Sequence, residues 1–360
     1  MITTLILVTF GLIMVFSASY YYSISQDGNA YSYLLKHGLW LILGFGAMFL
    51  GIVCDYKIYK GIGKWVLIGS ILLLVLVLTP IGQTVNGATR WIAVGPITVM
   101  PGELAKIAAI IFTADFLSAK PERVKSLTQG ILPLLVVICI YGALIIQQPN
   151  LSTAITVCGI IVAMMLVAGM RWRYFFGAAG AGAAGILSIL IFMKDSYWYS
   201  RLTSFTDPFA DPLNEGYQAV QSLLALGSGG LFGVGLGKSV QKNLYLPEPQ
   251  NDFILAIIGE EIGFIGLILL MAVYCLFIWR GVHIAINTPD QFGMLLASGI
   301  VLLVAIQVIL NVAVVTSSMP ATGINLPFIS YGGNSLLMFM FLTGVLLNIS
   351  RHEPKNTGVN

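Results

Sequence analysis

Apolar residues gather into ten runs, near 2–20, 36–54, 64–81, 103–118, 130–147, 151–170, 173–193, 253–279, 291–317 and 331–350. A helix needs about 20 apolar residues to cross the hydrocarbon core of a bilayer, so the pattern predicts ten spanning helices. The run at 103–118 is short and carries Asp115 near its end. Two polar connections are long, about 82–102 and 194–252. The second far exceeds the usual length of a connection, and loops of that size are as a rule functional or disordered. Inside it, "GYQAVQSLLALGSGG" keeps helical spacing, which predicts a short helix at the membrane surface. The small-residue run "GAAGAGAAG" at 177–185 suits close helix packing in lipid.

Composition agrees with a membrane reading. Of 360 residues, 58% are hydrophobic and 9% charged, against roughly 25% charged in a soluble domain. The net charge of +3 is too small to suggest nucleic acid as a partner. The positions of the cations carry more information. With a cytoplasmic N-terminus and ten alternating spans, eleven fall inside: Lys57, Lys60, Lys64, Lys120, Arg123, Lys125, Arg171, Arg173, Arg280, Arg351 and Lys355. Six fall outside, and Lys194, Arg201, Lys238 and Lys242 of these share the long loop. That asymmetry follows the positive-inside rule and places both termini in the cytoplasm. The N-terminal "MITTLILVTFGLIMVFSASYYY" lacks a basic leader and a small-residue cleavage site, so a first spanning helix is expected rather than a signal peptide. The expected fold is therefore an all-α polytopic membrane protein. One integral domain covers 1–360, with about ten transmembrane helices and a large extracellular loop, 194–252, between helices seven and eight.

Some chemistries are excluded by spacing. Cys54, Cys139, Cys158 and Cys275 are scattered, as are His37, His283 and His352, so no metal or redox cluster is expected. The string "GLGKS" at 235–239 resembles the end of a phosphate-binding loop, but Phe232 stands where its first glycine belongs. No nucleotide is expected.

The strongest constellation is "LPEPQNDF", with Glu248 and Asp252 at the threshold of the eighth run. Pro247 and Pro249 prevent a regular helix there. Asn251 or Asp252 has the chemistry of an N-cap for the helix that follows. Alternatively, Asp252 is a general base at the lipid–water boundary, where a carboxylate can take a proton from a substrate hydroxyl. Ionisable groups at membrane depth are by default functional. Glu103 and Lys106 lie three apart on one helical face and either pair as ions or offer a cation, with Arg90, to a phosphate. Glu260 lies about 12 Å along the helix from Asp252, too far to share a proton, and reads as a packing or ion-pair group.

The stretch "YLPEPQNDFILAIIGEEIG" resembles the signature of the SEDS family, the FtsW/RodA-type membrane glycosyltransferases that polymerise peptidoglycan. "NGATRWIAVGPITVMPGELAKI" resembles that family's "RW…G…QPSEFAKL" motif, "RLTSFTDPFADPLNEGYQAVQS" its "R…F.DP…GYQ…QS" stretch, and "ATGINLPFISYGGNSL" its "TGLPLPFISYGGSSL". The resemblance implies Asp252 as the catalytic acid–base residue. It implies substrate binding by Arg90, Trp91, Glu103, Lys106, Arg201, Gln218, Lys242, Glu248, Ser330 and Tyr331. The substrates would be lipid II and undecaprenyl-pyrophosphate-linked glycan, joined with inversion and with release of undecaprenyl pyrophosphate. A class B penicillin-binding protein is the implied partner. A divalent cation, Mg or Mn, is the implied cofactor, with its ligands unknown. The location would be the bacterial cell membrane, multi-pass, with the active site facing outside. The wording of "NGATRW" and "QKNLYLPEP" sits nearer the division and sporulation branch than the elongation branch. Two departures stand out: the usual "PDLGTA" is here "QPNLSTA", with Asn150 and Ser152. A lipid II flippase and a non-catalytic scaffold for a cell-wall synthase are the competing readings.

Overall fold

The computed structural model describes residues 1–85, 87–95, 97–180, 182, 205–214 and 216–352. Its helices are α1 (Ile2–Asp27), α2 (Ser32–Val53), α3 (Gly63–Val77), α4 (Pro101–Ala119), α5 (Leu132–Ile146) and α6 (Leu151–Val167), then α7 (Tyr217–Gly229), α8 (Ile254–Asn287), α9 (Gln291–Val315) and α10 (Gly333–Ser350). Helix is also present at 172–180, where the seventh apolar run begins; residues 183–193 of that run lie outside the described residues. Six stretches are long and apolar enough to cross a membrane: α1, α2, Leu127–Ile146, α8, α9 and α10. α3 and α6 are apolar but shorter, at 15 and 17 residues. α4 carries Glu103, Lys106 and Asp115.

Large apolar side chains point outward as well as inward. Leu39, Ile42 and Phe49 of α2, Trp65 and Leu72 of α3, and Leu269, Trp279 and Ile286 of α8 are all exposed. In water such a surface would aggregate; in lipid it is the solvated face. The chain is a multi-pass membrane protein.

α8 is longer than a bilayer requires. At about 1.5 Å per residue, its 34 residues exceed a core of about 30 Å. Gly263 interrupts it with φ 75° and ψ −174°. The break frees backbone groups that lipid cannot satisfy, and residues 230–235 satisfy them. Val234 and Gly235 N–H donate to Glu260 and Glu261 C=O at 2.9 and 3.0 Å, and Phe264 and Ile265 N–H donate to Gly230 and Leu231 C=O at 2.9 and 3.1 Å. The long loop is thus stitched to the helix that follows it.

The expectation of an all-α fold needs correction at 82–99. Strands β1 (Gly82–Val85), β2 (Ala88–Val94) and β3 (Ile97–Val99) form an antiparallel sheet in the order β1-β2-β3. Val85 pairs with Ala88, so the first connection has two residues, and the sequence there is Asn-Gly, the strongest hairpin signal. Gly87 takes φ 76°, as such a turn requires. The Thr-Arg-Trp-Ile run of β2 has the β-branched and aromatic character that suits a strand.

Close helix packing occurs between α2 and α10. A Cβ on Gly344 would lie 2.2 Å from Met48 O, and one on Gly51 would lie 2.6 Å from Phe341 O, so the two backbones approach as only small residues permit. The described glycines of the 177–185 run, Gly177, Gly180 and Gly182, meet nothing within 4 Å.

Candidate active site

A cavity of about 760 Å³ opens between the sheet, the start of α4, the 248–252 segment and the approach to α10. Its size falls in the range of ligand sites. Arg90, Trp91, Glu103, Glu248, Asp252 and Tyr331 line it, so six of the eleven residues expected from the sequence come together there.

Asp252 sits just ahead of α8. The helix is capped at Phe253 with no side-chain capping bond, so Asp252 does not serve as the N-cap that its position suggested. Its carboxylate rests on Gly323, where a Cβ would come within 3.1 Å of Oδ2. Its backbone carbonyl accepts from Asn311 Nδ2 at 2.9 Å. Asn311 also donates to Ile324 O at 2.6 Å and is fully buried on α9. One amide therefore pins both the 252 and the 324 segments. A backbone bond from Tyr331 N–H to Gln250 O, 2.9 Å, joins the same two segments a second time. Glu248 holds the turn before Asp252: its Oε2 accepts from Asn251 Nδ2 at 2.8 Å, and its φ is 45°. Non-glycine residues with positive φ concentrate at functional sites.

Arg90 projects from β2 and ties the sheet to the α5–α6 connection. Its Nε donates to Gln148 O at 3.2 Å and its Nη2 to Pro149 O. Asn334 Nδ2 donates to Thr98 O at 2.8 Å, which fixes the sheet to α10. Burial raises the pKa of the Tyr331 phenol above its ordinary value, and the Asp27 carboxylate adds to the rise. Tyr331 therefore stays protonated and able to donate at neutral pH.

Lys106, Gln218, Lys242 and Ser330 are placed elsewhere. Lys106 Nζ lies 2.7 Å from Glu103 Oε1 with both side chains buried, as the spacing of three allowed. Gln218 is at the start of α7 and is absent from the cavity wall. Lys242 is buried, 2.7 Å from Glu261 Oε1 and 3.0 Å from Ser17 Oγ, and is absent from the cavity wall. Ser330 Oγ accepts from Leu326 N–H at 2.7 Å and stabilises the turn before α10. Arg201 lies outside the described residues. Glu260 accepts from Val240 and Gln241 N–H at 2.9 and 3.3 Å and from the Ser239 hydroxyl, so it anchors the long loop.

Trp40, Asn311 and Asn325 were missed from sequence. Trp40 and Asn325 line the cavity, and Asn311 organises it. Asn311 had a legible signal, a polar side chain within an apolar run. Trp40 had none, since a tryptophan in such a run reads equally as a lipid contact. Asn150, which replaces an expected Asp, caps α6: its Oδ1 accepts from Thr153 N–H at 3.3 Å and from Ser152 Oγ at 3.0 Å. Asn performs that task about as well as Asp. Among the described residues no group of three His, Cys, Asp or Glu side chains could hold a metal.

Comparison with known proteins gives a consistent picture. The family model FTSW_RODA_SPOVE, "Cell cycle protein", matches residues 1–355. Stage V sporulation protein E of Bacillus subtilis is 42% identical over 98% of this chain and 96% of its own length. A protein of Coxiella burnetii named probable peptidoglycan glycosyltransferase FtsW is 40% identical over 99% of this chain and 96% of its own. Among solved structures, a chain from work described as "Structural coordination of polymerization and crosslinking by a peptidoglycan synthase complex" has TM-score 0.76 and 25% identity, covering 94% of this chain and 96% of that one. The rod shape determining protein RodA of Thermus thermophilus has TM-score 0.71 and 25% identity, covering 98% and 96%.

Proposed function

The chain belongs to the FTSW_RODA_SPOVE family, and from that premise we propose that it is a membrane peptidoglycan glycosyltransferase that polymerises lipid II in division or sporulation. The observation that carries the chemistry is Asp252, a carboxylate on the wall of the cavity that Arg90, Trp91, Glu103 and Tyr331 also line. Asp252 removes the proton from the 4-hydroxyl of the acceptor GlcNAc. That oxygen attacks the anomeric carbon of the donor MurNAc from the face opposite the leaving group. The carbon–oxygen bond to the diphosphate breaks, configuration inverts, and undecaprenyl pyrophosphate departs with the bonding pair. Trp91, Trp40 and Tyr331 offer faces and edges for sugar rings, and Arg90 offers positive charge. No step is assigned to a divalent cation.

The orientation follows from the charge distribution: both termini in the cytoplasm, the sheet and the long loop outside. The cavity then opens where lipid-linked precursors wait for polymerisation. A class B penicillin-binding protein is the partner that fits, since a polymerase needs a crosslinking activity beside it. The solved relative described as part of a peptidoglycan synthase complex supports this. The test is incubation of purified protein and a transpeptidase-inactive partner with labelled lipid II. Glycan chains that grow with time support the assignment. Their absence, with lipid II moving across proteoliposomes instead, would replace it with a flippase; absence of both would leave a scaffold.

A further inference from the structure

α10 starts in an unusual way for an 18-residue helix. Gly332 is its N-cap and supplies no side-chain bond, and the first turn has no acidic residue. The first carbonyl bond in the helix runs from Leu336 N–H to Gly332 O, 2.8 Å. The N–H groups of Gly333, Asn334 and Ser335 therefore belong to the set that a helix leaves unmatched, at an end carrying about half a positive charge. Gly332, Gly333, Asn334 and Ser335 all line the cavity.

Two side chains extend this set of donors. Ser335 is 6% exposed and lines the cavity, and its hydroxyl has no hydrogen-bond partner among the described residues. The hydroxyl itself is not enclosed, so a ligand in the cavity can reach it. Asn325 also lines the cavity, and its Nδ2 lies against Gly332, where a Cβ would come within 2.4 Å. The glycines have a purpose in this arrangement. The Trp40 ring covers Gly333 so closely that a Cβ there would sit 2.1 Å from it. With no side chain on either glycine, Trp40 and Asn325 approach the helix end at the cavity wall.

The charges on the wall bear on what can bind here. Glu248 and Asp252 are acidic, Glu103 is paired with Lys106, and Arg90 is cationic. An anion is repelled by the first two and drawn to Arg90 and to neutral donors. The α10 end supplies such donors in a cluster without a carboxylate in its own first turn. A tetrahedral oxyanion group is what backbone N–H groups at a helix start bind.

We propose that the α10 N-terminus, with the Ser335 hydroxyl and the Asn325 amide, seats the diphosphate of the polyprenyl-linked substrate. The identity of that substrate rests on the glycosyl-transfer reading above; the diphosphate chemistry is tested without turnover. Binding of inorganic pyrophosphate is measured by phosphorus NMR and calorimetry on protein in nanodiscs. Undecaprenyl pyrophosphate is measured in the same discs, with undecaprenol as the control lacking phosphate. Ser335→Asp places a carboxylate at the third helical position, where the helix dipole favours it, so thermal stability is expected to hold or rise. The diphosphate site predicts that the same variant binds both diphosphates at least roughly tenfold more weakly, because one lost charge-assisted bond alone is worth about that much. Ser335→Ala and Asn325→Leu are expected to weaken both in the same direction, with undecaprenol unaffected. Unchanged diphosphate binding by a stable Ser335→Asp protein would overturn the proposal. Binding of inorganic pyrophosphate without undecaprenyl pyrophosphate would overturn its lipid-linked assignment. Loss of diphosphate binding in the variants, in a protein that makes no glycan, would keep this site while removing the glycosyl-transfer reading.

Discussion

The Nδ2 of Asn311 donates to the backbone carbonyl of Asp252 at 2.9 Å, so a residue 59 positions away, near the C-terminal end of α9, sets where the proposed base stands. The same amide holds Ile324 O at 2.6 Å. Replacing Asn311 with Leu keeps the bulk and leaves two carbonyls without their donor. At about 1–3 kcal/mol for each buried group left unmade, Asn311→Leu is expected to lower the unfolding midpoint by several degrees and to reduce polymerisation further than stability alone accounts for. Fluorescence-detected unfolding beside a lipid II assay checks both. Wild-type behaviour in each would show that Asn311 does not position Asp252.

Gly323 makes a more local test. Its φ is 72°, a conformation that costs an L-residue about 1–2 kcal/mol, and an added Cβ would press on the Asp252 carboxylate at 3.1 Å. Gly323→Ala is expected to reduce kcat strongly with a modest loss of stability. Measured kcat near that of the parent would mean that the carboxylate has room to move without consequence.

Lys242 and Glu261 are 3% and 0% exposed, and they join the long loop to α8 while Ser17 of α1 hydrogen-bonds to Glu261. Lys242→Met alone strands a buried carboxylate, at about 3–5 kcal/mol. Lys242→Met with Glu261→Met removes both charges and is expected to recover most of the stability and activity. If the lysine instead binds substrate, the double variant will be stable but will show a raised KM.

Much of the fold was legible because lipid imposes a simple rule, that a span is apolar and about 20 residues long. The runs that became α1, α2, α9 and α10 follow it. Gly263 broke the eighth run into two helical pieces, and nothing in local composition distinguishes a glycine at φ 75° from one packed inside a regular helix. The sheet was overlooked although "VNGATRW" carries a hairpin signal, because attention to apolar runs treats everything between them as loop. Arg90, Trp91, Glu103, Glu248, Asp252 and Tyr331 were found by motif. The partners of Lys242 were not legible for a physical reason: a cation in an outer loop looks available until Glu261 and Ser17 are seen to meet it. Sequence order does not show which distant groups neutralise a charge.

The proposed orientation predicts a labelling pattern. Asp207 and Lys238 are exposed, as is Glu122 in the 121–125 connection. In a background without the four native cysteines, Asp207→Cys and Lys238→Cys are expected to react with an impermeant maleimide applied to intact cells. Glu122→Cys is expected to react only after lysis. Labelling of Glu122→Cys in intact cells would invert the topology and put the cavity on the cytoplasmic side.

The most direct measurement is glycan polymerisation from labelled lipid II by Asp252→Asn protein, purified with a transpeptidase-inactive partner. Asn preserves the shape of the side chain and removes its basicity. Thermal stability and partner binding are first matched to the parent protein. General-base catalysis by Asp252 predicts a rate lower by about 10²-fold or more with lipid II still bound. Polymerisation at the parental rate would contradict the assigned role of Asp252 and, with it, the account of this cavity as the catalytic site.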